Sequence, residues 1–152
     1  MIYDIKHFQA AGILCINEGK ILAVNRYNKN VWGLPFGKKE PHEDLITCAK
    51  RETFEETGLE AEILAPIYTG CVSRHDDVYP VLWEHKAGFG EEFKPLDKTP
   101  YWSTCFLANV KGQLKSSNEG TPNWIMPELL INERFSSFAK YNLMLFKHIG
   151  LI

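Results

Sequence analysis

Residues Asp44 to Thr57 read as one helix set into a chain that otherwise favours strands, and that interruption constrains the fold most. Gly58 follows as a natural C-terminal stop. Upstream, Phe8–Asn17 and Lys20–Arg26 are apolar and β-prone, and Asn17-Glu18-Gly19-Lys20 joins them as a hairpin-type turn. Trp32-Gly33-Leu34-Pro35-Phe36-Gly37 is a rigid Gly/Pro segment that predicts a shaped loop. Downstream, Glu60–Ser73 contains a strand with a turn signal at Gly70, and Val78–Ala87 and Trp102–Val110 read as two more. Trp124-Ile125 is a short extended piece that Met126-Pro127 breaks, and the apolar spacing from Arg134 to Ile149 predicts a packed C-terminal helix. The economical architecture is α/β, a mixed sheet between helices.

The chain length of 152 residues suits a single domain over 1–152. A domain of this size buries roughly 70% of its unfolded surface, so it needs no staples. A net charge of −2 provides no bulk basic field, which argues against duplex nucleic acid. Cys15, Cys48, Cys71 and Cys105 include no Cys-x-x-Cys pair, so zinc is not indicated and reduced core thiols are. No apolar run reaches transmembrane length, and Met1–Lys6 does not resemble a secretory signal, so the expected setting is cytoplasmic, away from membranes.

The densest chemistry is Arg51-Glu52-Thr53-Phe54-Glu55-Glu56-Thr57-Gly58. On a helix Glu52, Glu55 and Glu56 share one face and repel, by a few tenths of a kcal/mol per pair when exposed. They also sit toward the C-terminal end, where the helix dipole disfavours negative charge. A divalent cation reverses both penalties, because hard cations take carboxylate oxygens. Glu43 precedes the helix and can fold toward the same ion. The plain alternative is a solvated acidic face.

Gly37, Glu43 and Arg51 through Leu59 resemble the Nudix box, G-x5-E-x7-R-E-U-x-E-E-x-G-U, with U a bulky aliphatic. Every defined position is met except Thr53, where an aliphatic is usual and a core-facing side chain is expected. Phe36 and His42 also stand where the family often has glycine. The resemblance implies the Nudix α/β/α sandwich. It also implies Mg²⁺- or Mn²⁺-dependent hydrolysis of a nucleoside diphosphate linked to another group, with a small-molecule nucleotide as substrate. Many family members are dimers, so a homodimer is open, although no residue marks an interface.

By the same resemblance, Glu55 and Glu56 are the principal metal ligands and the Gly37 carbonyl is another. Glu52 is open between metal ligand and base. Arg51 holds the glutamates in position, and Glu43 supports that network. The physics agrees: metal ions neutralise a pyrophosphate and lower the pKa of a water, and a carboxylate takes its proton. Glu84, Glu91, Glu92 and Glu119 are candidate bases outside the box.

Asn118-Glu119-Gly120-Thr121-Pro122-Asn123-Trp124-Ile125 resembles a late segment of MutT-type Nudix triphosphatases, which act on oxidised purine nucleotides. Asn118, Glu119 and Trp124 are therefore candidate substrate contacts, with Trp124 as a core anchor the competing reading. Arg26 and the loop Arg74-His75-Asp76-Asp77 are candidate phosphate or sugar contacts. The leading expectation is a nucleoside triphosphate cleaved to monophosphate and pyrophosphate. Nucleotide sugars, ADP-ribose, dinucleoside polyphosphates and RNA 5′ ends are rivals. The proline that marks the ADP-ribose branch is missing near residues 73–75. A silent nucleotide-sensing module is the remaining alternative, and such modules commonly lose box acids that are all present here.

Overall fold

The computed structural model describes residues 9–26, 31–72, 82–83, 101–128 and 146–152. In chain order these form β1 (Gln9–Leu14), β2 (Ile16–Asn17), β3 (Lys20–Arg26), β4 (Val31–Gly33), β5 (Phe36–Lys38), α1 (Leu45–Thr57), β6 (Leu59–Val72), β7 (Leu82–Trp83), β8 (Tyr101–Gly112) and β9 (Gly120–Ile125).

Local chemistry sets the limits of α1. The Asp44 carboxylate accepts a hydrogen bond from Thr47 N at 2.7 Å, satisfying an N–H the first turn leaves open. At the other end Gly58 adopts φ 80°, and its N–H donates to Phe54 O at 2.9 Å. The β2–β3 hairpin is equally local. Glu18 and Gly19 both take positive φ, 51° and 76°, as a two-residue primed turn requires.

The α/β class holds, and the mixed sheet expected between helices is built as two sheets. The first runs β5-β1-β8-β6-β7, with β1 and β8 parallel and the other pairs antiparallel. In the second, β9 lines one edge of β3, while β2 and β4 share the other. Residues 32–37, expected to be a loop, contribute to strands β4 and β5. The turn signal at Gly70 is overridden: β6 continues through it, because Gly70 pairs with Ser103 and with Trp83. β6 instead shifts register on either side of Ala65-Pro66, where a proline is tolerated.

Alternation along the strands sorts the core onto two faces. Ala11, Ile13, Phe106 and Ala108 lie beneath α1 with Cys48, Ala49 and Leu59. Leu14, Phe36, Tyr68 and Cys105 face the other way, against Ile21 and Ile125 of the second sheet and Phe146. Each fully buried Leu or Ile adds about 2 kcal/mol. Thr53 is fully buried, as its place in the helix pattern predicts, and its hydroxyl donates to Ala49 O at 2.7 Å. That bond removes the penalty of a hydroxyl in an aliphatic position. Cys15, Cys48 and Cys105 are buried free thiols.

Residues 146–148 are helical; the rest of the expected C-terminal helix, 134–145, lies outside the described residues, as does most of the expected strand 78–87. Among the described residues no helix is long and apolar enough to cross a membrane.

Candidate active site

Helix α1 lies along β5, and the two elements contact each other in order. Phe36 N donates to Glu56 Oε1 at 3.0 Å. The Glu52 carboxylate rests on Gly37: a Cβ there would sit 1.9 Å from Glu52 Cδ, so any side chain at position 37 would expel the carboxylate. Cys48 Sγ donates to Gly37 O at 3.5 Å. Arg51 Nη2 donates to Lys38 O at 2.9 Å. Positions 48, 52 and 56 are successive turns of one helix face, which is why a single ridge can follow a single strand.

Arg51 gathers one group of acids. Its Nε and Nη2 donate to the two oxygens of Glu43 at 2.8 and 2.7 Å, a bidentate fork. Nη1 donates to Glu52 Oε1 at 2.8 Å and to Glu55 Oε2 at 3.1 Å. Glu43 is buried and also accepts from Glu40 N at 2.8 Å. The Arg51 hydrogen bonds, outweighing its burial, hold the Glu43 carboxyl down at about 2. Those same carboxylates, Glu43 first, raise the Arg51 pKa further above its ordinary value.

The second group shares Glu52 with the first. Glu52, Glu56 and Glu119 each offer a carboxylate oxygen, and these oxygens lie within 4.8 Å of one another. Glu52 and Glu56 are buried, and Glu119 is exposed. Burial pushes the Glu52 pKa up; Arg51 opposes this, while Glu55 and Glu119 add to it. Glu119 reaches the cluster through long-range pairing. Strand β9 runs antiparallel to β3 with Gly120 opposite Arg26, and a Cβ on Gly120 would lie 2.2 Å from Asn25 O. Ser117 Oγ accepts from Glu119 N at 3.1 Å, and Ser117 N donates to Gly120 O at 2.9 Å, closing a tight turn around Glu119.

Of the residues singled out from the sequence, Gly37, Glu43, Arg51, Glu52, Glu55 and Glu56 therefore share one network, and Glu119 joins it from another sheet. Glu55 is half-exposed and shares Arg51 Nη1 with Glu52. Arg26 enters by its backbone position opposite Gly120. Asn118 is exposed beside Glu119. Trp124 is half-buried against the core cluster beneath α1, in keeping with the anchor reading. Residues 74–77, Glu84, Glu91 and Glu92 lie outside the described residues. The contacts of Cys48, Ser117 and the Lys38 carbonyl were not anticipated. Only Ser117-Asn118-Glu119-Gly120 carries a local cue, a turn composition; the other two exist only because α1 docks on β5.

The donor set fits a small hard cation. It consists of carboxylate oxygens held close together despite mutual repulsion.

The sequence model of the NUDIX domain matches residues 6–143. Over 55 residues the chain is 42% identical to "Nucleoside diphosphate-linked moiety X motif 6" of Mus musculus, covering 35% of this chain and 18% of that protein. Over 34 residues it is 44% identical to the 8-oxo-dGTP diphosphatase of Buchnera aphidicola, covering 22% of this chain and 27% of that protein. The matches thus span well under half the length of these relatives. The MutT protein of Methanosarcina mazei Go1 has a similar fold, with a TM-score of 0.70 at 21% identity over 94% of each chain.

Proposed function

The chain belongs to the Nudix family, and from that premise we propose that it is a divalent-cation-dependent pyrophosphohydrolase. Its substrate class is a nucleoside diphosphate linked to another group. Within that class we favour a nucleoside triphosphate, an oxidised purine nucleotide included, cleaved to monophosphate and pyrophosphate. The observation that carries the reading is the convergence of the Glu52, Glu56 and Glu119 carboxylate oxygens within 4.8 Å. Three acids so close are costly unless a cation joins them.

Glu52, Glu56 and Glu119 would hold Mg²⁺ or Mn²⁺, with Glu55 as a further donor; the Gly37 carbonyl, expected as another, is turned to Ala11 across the β1–β5 pairing. When bound, the ion supplies positive charge against the phosphates and makes a neighbouring water more acidic. Water oxygen forms a bond to one phosphorus of the α–β anhydride, and the bond from that phosphorus to the bridging oxygen breaks, releasing the monophosphate and pyrophosphate. The water proton passes to a carboxylate; Glu52 is the candidate base in the arrangement where Glu56 and Glu119 hold the ion. Arg51 orients Glu52 and Glu55 and does not need to touch substrate. Glu43 keeps Arg51 in place.

The triphosphate preference draws on the resemblance of residues 118–125 to MutT-type enzymes and on the 8-oxo-dGTP diphosphatase among the relatives. The test is Mg²⁺-dependent turnover against normal and oxidised nucleoside triphosphates, ADP-ribose, nucleotide sugars, dinucleoside polyphosphates and capped RNA. Fast release of pyrophosphate from a triphosphate, absent in Glu56→Gln, is the expected result. Rapid turnover of another class alone would overturn the triphosphate preference. Nucleotide binding without turnover of any substrate would favour a sensing module.

A further inference from the structure

Of the three carboxylates that converge, Glu119 alone is not carried by α1. It lies in the connection from β8 to β9, where residues 113–117 form neither helix nor strand and Asn118 and Glu119 make a bend. Such a stretch keeps a side chain in place only where its backbone is tied down. One tie reaches α1 itself. Lys115 N donates to Thr57 O at 2.8 Å, using a carbonyl that the helix end leaves open, one residue from Glu56. Gly58 permits that approach, since a Cβ there would lie 2.9 Å from both Gln113 O and Lys115 Cβ. On the far side Gly120 begins β9 and is fixed opposite Arg26. The helix that carries Glu52 and Glu56 thus sets the connection as far as Lys115, and the second sheet sets it from Gly120. Between these anchors Ser117 closes the backbone: its hydroxyl accepts from Glu119 N at 3.1 Å, and its own N–H donates to Gly120 O at 2.9 Å.

We infer that Ser117 is a positioning residue, whose hydroxyl fixes the Glu119 backbone so that its carboxylate stays beside those of Glu52 and Glu56 to receive the divalent cation. The inference rests on the cation reading given above. Glu119 is exposed, so packing does little to hold it, and repulsion from the two buried carboxylates drives it outward. A side-chain oxygen bonded to the N–H two residues on narrows the turn and opposes that movement. Groups that orient a ligand before the ion arrives matter to affinity, and losing one weakens metal binding about 10- to 100-fold. Ser117 acts through the backbone of a half-buried turn, so its effect belongs at the lower end, about tenfold.

The experiment titrates the full chain with Mn²⁺ alone and reads free Mn²⁺ by electron paramagnetic resonance, with thermal unfolding in parallel to show that each variant is folded. Wild type, Ser117→Ala, Ser117→Thr, Glu119→Gln, the Ser117→Ala/Glu119→Gln double variant and Glu56→Gln are compared. The expected result is a dissociation constant raised about tenfold in Ser117→Ala and returned toward wild type in Ser117→Thr, which keeps the hydroxyl. The double variant should bind no more weakly than Glu119→Gln alone, because the hydroxyl acts only through Glu119. Wild-type affinity in Ser117→Ala would overturn the inference, as would equal weakening in Ser117→Thr. Further weakening when Ser117→Ala is added to Glu119→Gln would overturn it too, since the hydroxyl would then act elsewhere. If wild-type protein binds Mn²⁺ no better than Glu56→Gln, the cation reading itself fails, and this inference with it.

Discussion

Helix α1 carries two groups of glutamates in opposite electrostatic settings, and Glu52 belongs to both. On one side Arg51 reaches Glu43, Glu52 and Glu55 through short, directional hydrogen bonds. On the other, Glu52 meets Glu56 and Glu119, carboxylate against carboxylate. The first group is complete as built: opposite charges joined in a fork geometry stabilise the helix on its strand. The second concentrates like charge, which lowers stability but creates affinity for a cation. Identical residue types separated by a few positions thus do different work, and the direction each carboxylate faces decides which.

That contrast can be broken from either side. The largest effect is expected from Glu56→Gln. The amide keeps the volume and can still accept from Phe36 N, so the fold should remain while metal-dependent turnover falls about a thousandfold or more. Near-normal turnover would show that the like-charged group is not the reactive one. Next is Arg51→Ala, which leaves Glu43 buried without its cation. It should cost about 3 kcal/mol in a denaturant titration, and a loss under 1 kcal/mol would deny the group its structural role. Glu119→Gln should weaken Mn²⁺ binding about tenfold, the range for losing one supporting ligand. Because Glu119 is exposed, its melting temperature should not fall; a drop would make it a structural residue instead.

The smallest effect sharpens the comparison through pH. Glu43 lies near 2 in the fold against an ordinary value of 4.5. A carboxyl depressed in the folded state stabilises fully above the unfolded value and loses that contribution as pH falls through the folded one. Stability should therefore decline between about pH 4.5 and pH 2, and Glu43→Gln should flatten that part of the curve. An unchanged slope in the variant would place the acid sensitivity elsewhere.

What the sequence made legible follows the range of the forces involved. Helix α1 could be bounded from residues 44–58 because its caps are local: Asp44 serves Thr47 N, and Gly58 supplies the left-handed turn. The β2–β3 hairpin was legible for the same reason. The box residues were found by spacing, since one helix fixes their relative positions. The tie between Glu119 and the box was not legible, because it depends on β9 finding β3 in one register across most of the chain. Glu119 could be named as a candidate base, but nothing local chose it over Glu84, Glu91 or Glu92. The Gly70 turn signal failed through the reverse effect, local preference yielding to pairing on both edges.

The parallel pairing of β1 with β8 has a consequence for how the chain reaches this state. Emerging from a ribosome, β1 has its antiparallel partner β5 long before its parallel partner β8 exists. Helix α1 can form early, since its caps lie within its own segment, but the sheet it rests on cannot close until Tyr101–Gly112 has been made. Contacts of such wide sequence separation place folding toward the slow end for a domain of this size. In the interval the edges of β1 and β6 stand open, so the nascent chain is most vulnerable to misassociation before β8 arrives.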